Sequence, residues 1–339
     1  MKIKKTKFDS YCLNGFAEGC RHCVKGDKLV LFVTGKCSRN CWYCSLSRKR
    51  KNKNETYANE RTCRNAKEII QEADESRATG AGITGGDPLL CTGRTVRLAS
   101  ALKKRFGKEF HIHIYLPTKL VAERKLKRIA RVADEVRFHP EFLIKPDTTV
   151  EDLKKIEMAS KFWKKENIGI ELPMIPERKE EILDFIKGAE DYIGFVNLNE
   201  FELSETNFQA IVARYKLKEG GYVIAGSLES GKWILEELSK EKSKLKIHLC
   251  SAKLKNDYQY KNRLKKHKIL PYGKRTEDGT VIYLIVNKKM KGEGVFYDEK
   301  KKRTILSEPI ARKLLGKEKI TRVEEFPTYD RIETESEEV

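Results

Sequence analysis

The chain has 339 residues, 35% of them charged, and carries 70 lysines and arginines against 50 aspartates and glutamates, a net charge of +20. No stretch approaches the ~18 consecutive apolar residues of a membrane span, and the basic start MKIKKTKFDSYC has none of the apolar run of a secretory signal. Nine cysteines, several at ligand spacing, point to a reducing cytoplasm rather than to disulfides. The cationic surplus points to a polyanionic partner, RNA first.

Residues 1–28 hold Cys12, Cys20 and Cys23 ahead of any regular pattern. From 29 to 255, strand-like apolar runs alternate with helical ones. Strands are expected at 29–34, 81–84, 111–116, 135–139, 168–172, 195–201 and 246–250. Helices are expected at 66–78, 92–106, 150–165, 178–187 and 227–240. In the first helix Ile69, Ile70 and Ala73 share one face, and 92–106 stops at Gly107, a residue suited to a C-cap. Strands separated by helices pair in parallel through right-handed crossovers. An α/β fold with six or more such units makes a whole or partial barrel, with its chemistry at the strands' C-terminal ends.

Residues 256–339 break this rhythm. Strands at 280–286 and 294–297, a helix at 308–315 and the acidic tail IETESEEV read as a small β-rich module whose end is disordered. Three units are therefore expected: 1–28, 29–255 and 256–339.

The cysteines carry the chemistry. Cys37, Cys41 and Cys44 follow the first apolar run in GKCSRNCWYCSLS. An odd triplet on one short loop has no geometry for disulfide pairing, but soft thiolates converging on one point suit a metal centre. An iron–sulfur cubane held by three of them would keep one iron open; a structural zinc with a distant fourth ligand is the alternative. Some forty residues on, Ala81-Gly82-Ile83-Thr84-Gly85-Gly86-Asp87-Pro88 reads as a buried strand breaking into a glycine turn, where backbone can approach a ligand closely.

Together the CxxxCxxC loop, with Tyr43 before its last cysteine, and the GGDP turn resemble the signature of the radical S-adenosylmethionine enzymes, and among them archaeal proteins related to pyruvate formate-lyase activating enzyme. The resemblance implies a partial (β/α)6 TIM-like barrel. It also implies that Cys37, Cys41 and Cys44 hold a reactive [4Fe-4S] cluster whose fourth iron binds the methionine part of S-adenosylmethionine. Gly85, Gly86 and Asp87 would surround the methionine amino group, Asp87 being one methylene shorter than the glutamate usual there. The fifth strand, carrying Glu171, would meet the adenine or ribose, and Asn197, Asn199, Glu200 and Glu202 crowd the end of the sixth. One electron, from a donor such as ferredoxin or flavodoxin, would cleave the sulfonium to a 5′-deoxyadenosyl radical that abstracts hydrogen. On charge the substrate is an RNA base, tRNA included. The alternatives are a protein backbone glycine, as for a glycyl-radical-enzyme activase, and a non-catalytic, metal-bearing RNA-binding protein.

Four further thiols, Cys12, Cys20, Cys23 and Cys250, form a candidate second site for an auxiliary iron–sulfur cluster or a tetrahedral zinc, with His22 as substitute for Cys250. Cys63 and Cys91 lack partners at ligand spacing and read as structural, although Cys91 closely follows GGDPLL. The six histidines show no metal-binding spacing and read as structural or solvated. Basic stretches at 48–54 and 253–268, the second with Tyr258 and Tyr260, suit an RNA backbone and its bases.

Overall fold

Seven strands pair in parallel at the centre of the chain: Lys28–Phe32, Gly80–Thr84, His111–Pro117, Glu135–His139, Ile168–Met174, Phe195–Glu200 and Lys246–Cys250, lying side by side in chain order. The computed structural model describes residues 2–219 and 221–339. Helices Ala66–Glu75, Thr92–Phe106, Glu123–Ile129, Thr149–Glu157, Lys179–Ala189 and Ser227–Lys240 supply the crossovers. Six strand–helix units plus a seventh strand thus form the expected partial barrel. The sheet stays open because antiparallel strands end it on both sides. Thr56–Ala58 and Arg61–Cys63 extend it beside the first strand, and Tyr11–Leu13 and Lys4–Lys5 beside the seventh.

Period-two alternation divides each strand between two jobs. Leu29, Leu31, Ile83, Ile112, Ile114, Val136, Ile170 and Leu198 are fully buried in the main apolar core, each contributing roughly 1.5–3 kcal/mol. The intervening residues face the barrel interior, where polar groups predominate. Helix Ala66–Glu75 starts at Asn65, whose Oδ1 accepts from Glu68 N–H at 3.1 Å while Glu68 Oε2 reaches back to Arg64 N–H at 2.6 Å. Helix Thr92–Phe106 ends at Gly107, as expected, with φ +88°.

The N-terminal segment is built into the barrel rather than standing apart from it. Helix Glu18–Val24 lies across the strands' N-terminal ends, and Gly19 N–H donates to Glu135 Oε2 at 2.9 Å. A Cβ on Gly19 would stand 2.6 Å from Arg137, Glu135 and His113 at once, so glycine is what lets the helix seat this deeply.

The C-terminal part forms its own antiparallel sheet with two small apolar clusters, and helix Glu308–Leu314 packs on one of them. The acidic tail, expected to be disordered, is instead strand Glu333–Glu338, paired with Thr321–Glu325. Cations neutralise it: Glu333 meets Lys301 at 2.6 Å and Arg303 at 2.8 Å, and Glu338 meets Lys319 at 2.8 Å. Among the described residues no helix is long and apolar enough to cross a membrane.

Candidate active site

Cys37, Cys41 and Cys44 lie on an irregular loop at the C-terminal end of the first strand, braced from two sides. Arg39 Nη1 donates to the carbonyls of His139 and Pro140, past the fourth strand, at 2.9 and 2.8 Å. From the segment after the sixth strand, the single Thr206 hydroxyl proton is shared between the carbonyls of Cys44, with Oγ1 at 2.8 Å, and Leu46, with Oγ1 at 2.5 Å, and Asn207 Nδ2 donates to that of Tyr43 at 3.3 Å. Trp42 stacks on Tyr215, and the Arg214 guanidinium lies 4.9 Å from the Trp42 ring centre. The loop is therefore fixed by its backbone, which leaves the thiols to ligand chemistry.

The glycine turn clamps the entry of that loop. Gly86 N–H donates to Thr34 O at 2.7 Å and Asp87 N–H to Lys36 O at 2.8 Å. Gly85 has φ +154°, and a Cβ there would stand 2.5 Å from Thr34 O. Gly85 and Gly86 line the same cavity as the three thiols. Asp87 does not face it. Its carboxylate is fully buried, Oδ2 accepting from Ser38 Oγ at 2.6 Å and Oδ1 from Leu89 N–H at 2.9 Å. Burial raises its pKa, against the opposing pull of those hydrogen bonds. Asp87 ties the turn to the cysteine loop through Ser38 and, through Leu89 N–H, caps the short helix that follows as an Asx-type cap.

Loop and turn stand over a cavity of about 530 Å³ that runs down the barrel to Cys23, on the helix beneath. The donor set fits an iron–sulfur cluster: three soft sulfurs on one loop share a cavity with a turn that has no side chains in the way. Burial raises the Cys37 and Cys41 thiols, so loading a cluster would release their protons.

Lower down, the interior is an ordered polar network. Arg137, 1% exposed, bonds Glu135 Oε1 at 2.7 Å through Nε and Glu171 Oε2 at 3.0 Å through Nη1. Burial alone would push the Glu135 carboxyl up, yet Arg137 beside it holds it below the usual range. Glu171 Oε1 accepts from Asn197 Nδ2 and Asn199 Nδ2, both at 2.8 Å. Glu171 and Asn199 line the cavity, so the fifth and sixth strand ends do supply polar groups there.

His113 and His139, read from sequence as structural or solvated, also line the cavity. Burial lowers both imidazoles, His139 to about 3. The signal for them was present: His111, His113 and Tyr115, then Glu135, Arg137 and His139, sit at alternate positions on consecutive barrel strands and must share the inward face.

The second set of thiols is spread over three elements. Cys12, on strand Tyr11–Leu13, lies opposite His248 of the seventh strand, Cys20 and Cys23 lie on the helix beneath, and Cys250 packs with Val24 and Leu254. Cys20 Sγ takes a bond from Arg137 Nη2 at 3.3 Å and lies 3.6 Å from Asn197 Oδ1. Among the described residues no three of these sulfurs fall within 4.8 Å of one another, nor do those of Cys37, Cys41 and Cys44, so this spacing does not decide between the auxiliary cluster and the zinc expected there. His22 bonds Thr79 and stacks on His111 instead of joining them. Cys91 turns to Thr95 at 3.8 Å, and Cys63 sits in the core.

The basic stretch at 253–268 is largely consumed by acids of the same chain. Lys253 pairs with Asp9 at 2.9 Å, Lys255 with Glu202 at 2.5 Å, Lys261 with Asp278 at 2.7 Å and Arg263 with Glu60 at 2.5 Å. Lys266 meets Asp27, and Lys268 meets Asp74 at 2.5 Å. In the stretch at 48–54, Arg50 is turned onto the Tyr57 ring at 4.6 Å, while Arg48 and Lys51 line a shallow cleft beside Phe208.

The family model of the radical SAM superfamily matches residues 31–188. Over 275 residues the chain is 40% identical to a Methanocaldococcus jannaschii protein provisionally named a glycyl-radical enzyme activating enzyme, which covers 78% of this chain and 72% of the relative. Among solved structures, the radical SAM enzyme coproporphyrinogen III oxidase (HemN) of Escherichia coli is 13% identical with a TM-score of 0.39, over 66% of this chain and 56% of its own. The structure of anSMEcpe with bound AdoMet is 14% identical with a TM-score of 0.43, over 64% of this chain and 60% of its own. The chain thus spans less than two thirds of both solved chains, and the likeness to them is distant. Its extensive identity with the archaeal relative and the family match over the first five barrel strands settle the assignment: the chain belongs to the radical SAM superfamily, whose enzymes use a [4Fe-4S] cluster and S-adenosylmethionine.

Proposed function

We propose that this radical SAM enzyme is an activase that abstracts hydrogen from a backbone glycine of a substrate protein. Cys37, Cys41 and Cys44 would hold the cluster, and Gly85 and Gly86 would receive the methionine part of S-adenosylmethionine through their backbone. When bound and reduced by one electron, these cofactors supply methionine and a 5′-deoxyadenosyl radical; transfer of a Cα hydrogen to that radical gives 5′-deoxyadenosine and a carbon-centred radical on the substrate.

The observation that carries the reading is the cavity itself. It begins at the thiols and the glycine turn, passes between Tyr115, Glu171 and Asn199, and is closed below by helix Glu18–Val24. A radical formed there is screened from solvent, and substrate must enter from the loop side. Polar side chains at different depths suit the amide groups of an inserted peptide loop. The name of the archaeal relative favours a protein substrate over RNA, and the ion pairs along 253–268 lessen the cationic surplus of one of the two stretches that favoured nucleic acid.

The test mixes reconstituted protein, S-adenosylmethionine and dithionite with either the protein or the tRNA fraction of native extract. The proposal predicts that the protein fraction raises 5′-deoxyadenosine output and yields a protein-borne glycyl radical by electron paramagnetic resonance. Stimulation by tRNA alone, with no protein radical, would overturn it in favour of RNA modification.

A further inference from the structure

Away from the cavity, three donors converge where the barrel meets the C-terminal module. Glu72 and Glu75 lie one turn apart on the last turns of helix Ala66–Glu75, and His267 follows helix Lys261–Lys266. One ligand atom from each lies within 4.8 Å of the others. Glu72 is fully buried and His267 is 7% exposed, while Glu75 borders solvent.

The hydrogen bonds leave this cluster incomplete. Asn59 Nδ2 donates to Glu72 Oε1 at 2.9 Å, but Glu72 Oε2 is buried without a partner. His267 Nδ1 lies 3.0 Å from Lys268 O, and a carbonyl can only accept, so that nitrogen carries a proton. In the neutral ring Nε2 is then a bare lone pair, buried without a partner and 3.7 Å from Glu72 Oε1. That separation is beyond hydrogen-bond range even for a protonated ring. Acceptors thus face acceptors across a gap. A cation between them resolves this, and an imidazole whose Nδ1–H is held by a backbone carbonyl is oriented as a metal ligand.

We infer that Glu72, Glu75 and His267 bind a divalent transition-metal ion, with the solvent side at Glu75 left for water. Two carboxylates and one imidazole suit manganese, iron or zinc. The ion would pin the barrel's first crossover helix to the segment entering the C-terminal module. The contacts around it run the same way: Lys268 N–H donates to Glu75 O at 2.7 Å, and Arg275 Nη2 to His267 O at 2.6 Å.

Mn²⁺ is the probe, because it prefers oxygen and nitrogen to the protein's many thiols. Full-length, cluster-reconstituted protein is titrated with Mn²⁺ by calorimetry and electron paramagnetic resonance. One Mn²⁺ per chain is expected, with affinity reduced at least tenfold in His267→Ala and in Glu75→Gln, and a rise in melting temperature with Mn²⁺ in the parent alone. Glu75→Gln alters a half-exposed residue, so the comparison holds if His267→Ala does not fold. No stoichiometric binding, or binding that both variants leave unchanged, overturns the assignment and leaves a protonated His267 facing Glu72 as the explanation of the gap.

Discussion

Arg137 and Glu171 meet at 3.0 Å inside the barrel, between the cavity and the helix that closes its floor. Arg137 also holds Glu135 at 2.6 Å, so one buried guanidinium neutralises two carboxylates, Glu135 buried beside it and Glu171 at the cavity wall. Removing it strands both charges. Arg137→Ala is expected to cost about 3–5 kcal/mol, the range for breaking a buried pair from one side. Guanidinium unfolding measures this, and Glu135→Gln added to Arg137→Ala should recover part of the loss.

Gly86 donates to Thr34 O from a position where any Cβ would collide with the Lys36 carbonyl. Gly86→Ala must therefore move backbone, and the loop it moves is the one carrying the thiols. Iron and sulfide per chain should fall, and 5′-deoxyadenosine release should drop at least tenfold, with global stability changed by only about 1–2 kcal/mol. Parental release from a fully folded Gly86→Ala protein would show that the turn tolerates a side chain.

Thr206 spans two carbonyls of the cysteine loop, those of Cys44 and Leu46. Thr206→Val keeps the shape and removes the one shared donor, at about 0.5–1.5 kcal/mol in all. The expected consequence is local. The visible absorbance of the loaded protein should bleach several times faster in air, with little shift in melting temperature.

His113 and His248 give stability a pH dependence of known sign. Burial lowers both imidazoles, His248 to about 3, while the unfolded chain titrates near ~6.5. Below that value the unfolded state binds protons that the native state refuses, so stability falls as pH falls. Each group contributes up to about 1.4 kcal/mol per pH unit until its native pKa is reached. The guanidinium midpoint should be lower at pH 5.5 than at pH 7.5, with a shallower slope in His248→Gln. A midpoint independent of pH over that interval would contradict the burial of both rings.

Much of the barrel was legible because its signals are local. The seven strand runs and the cap at Gly107 declare themselves within a few residues, and the cysteine loop and glycine turn fall at strand ends where a parallel barrel puts its chemistry. What escaped depends on contacts distant in sequence. The Arg137 network joins elements more than a hundred residues apart, as in its bond to Cys20. The bond that joins Asp87 to Ser38 spans 49 residues of the chain. The tail from Glu333 reads as disordered until Lys301, Arg303 and Lys319 are seen to meet it.

Release of 5′-deoxyadenosine tests the account most directly. Anaerobically reconstituted protein is incubated with S-adenosylmethionine and dithionite, beside Cys37→Ala, Cys41→Ala and Cys44→Ala. The parent should release 5′-deoxyadenosine and each variant should fall to the level of buffer. A parent fully loaded with iron and sulfide that releases none, or a Cys41→Ala protein that releases as much as the parent, would contradict it.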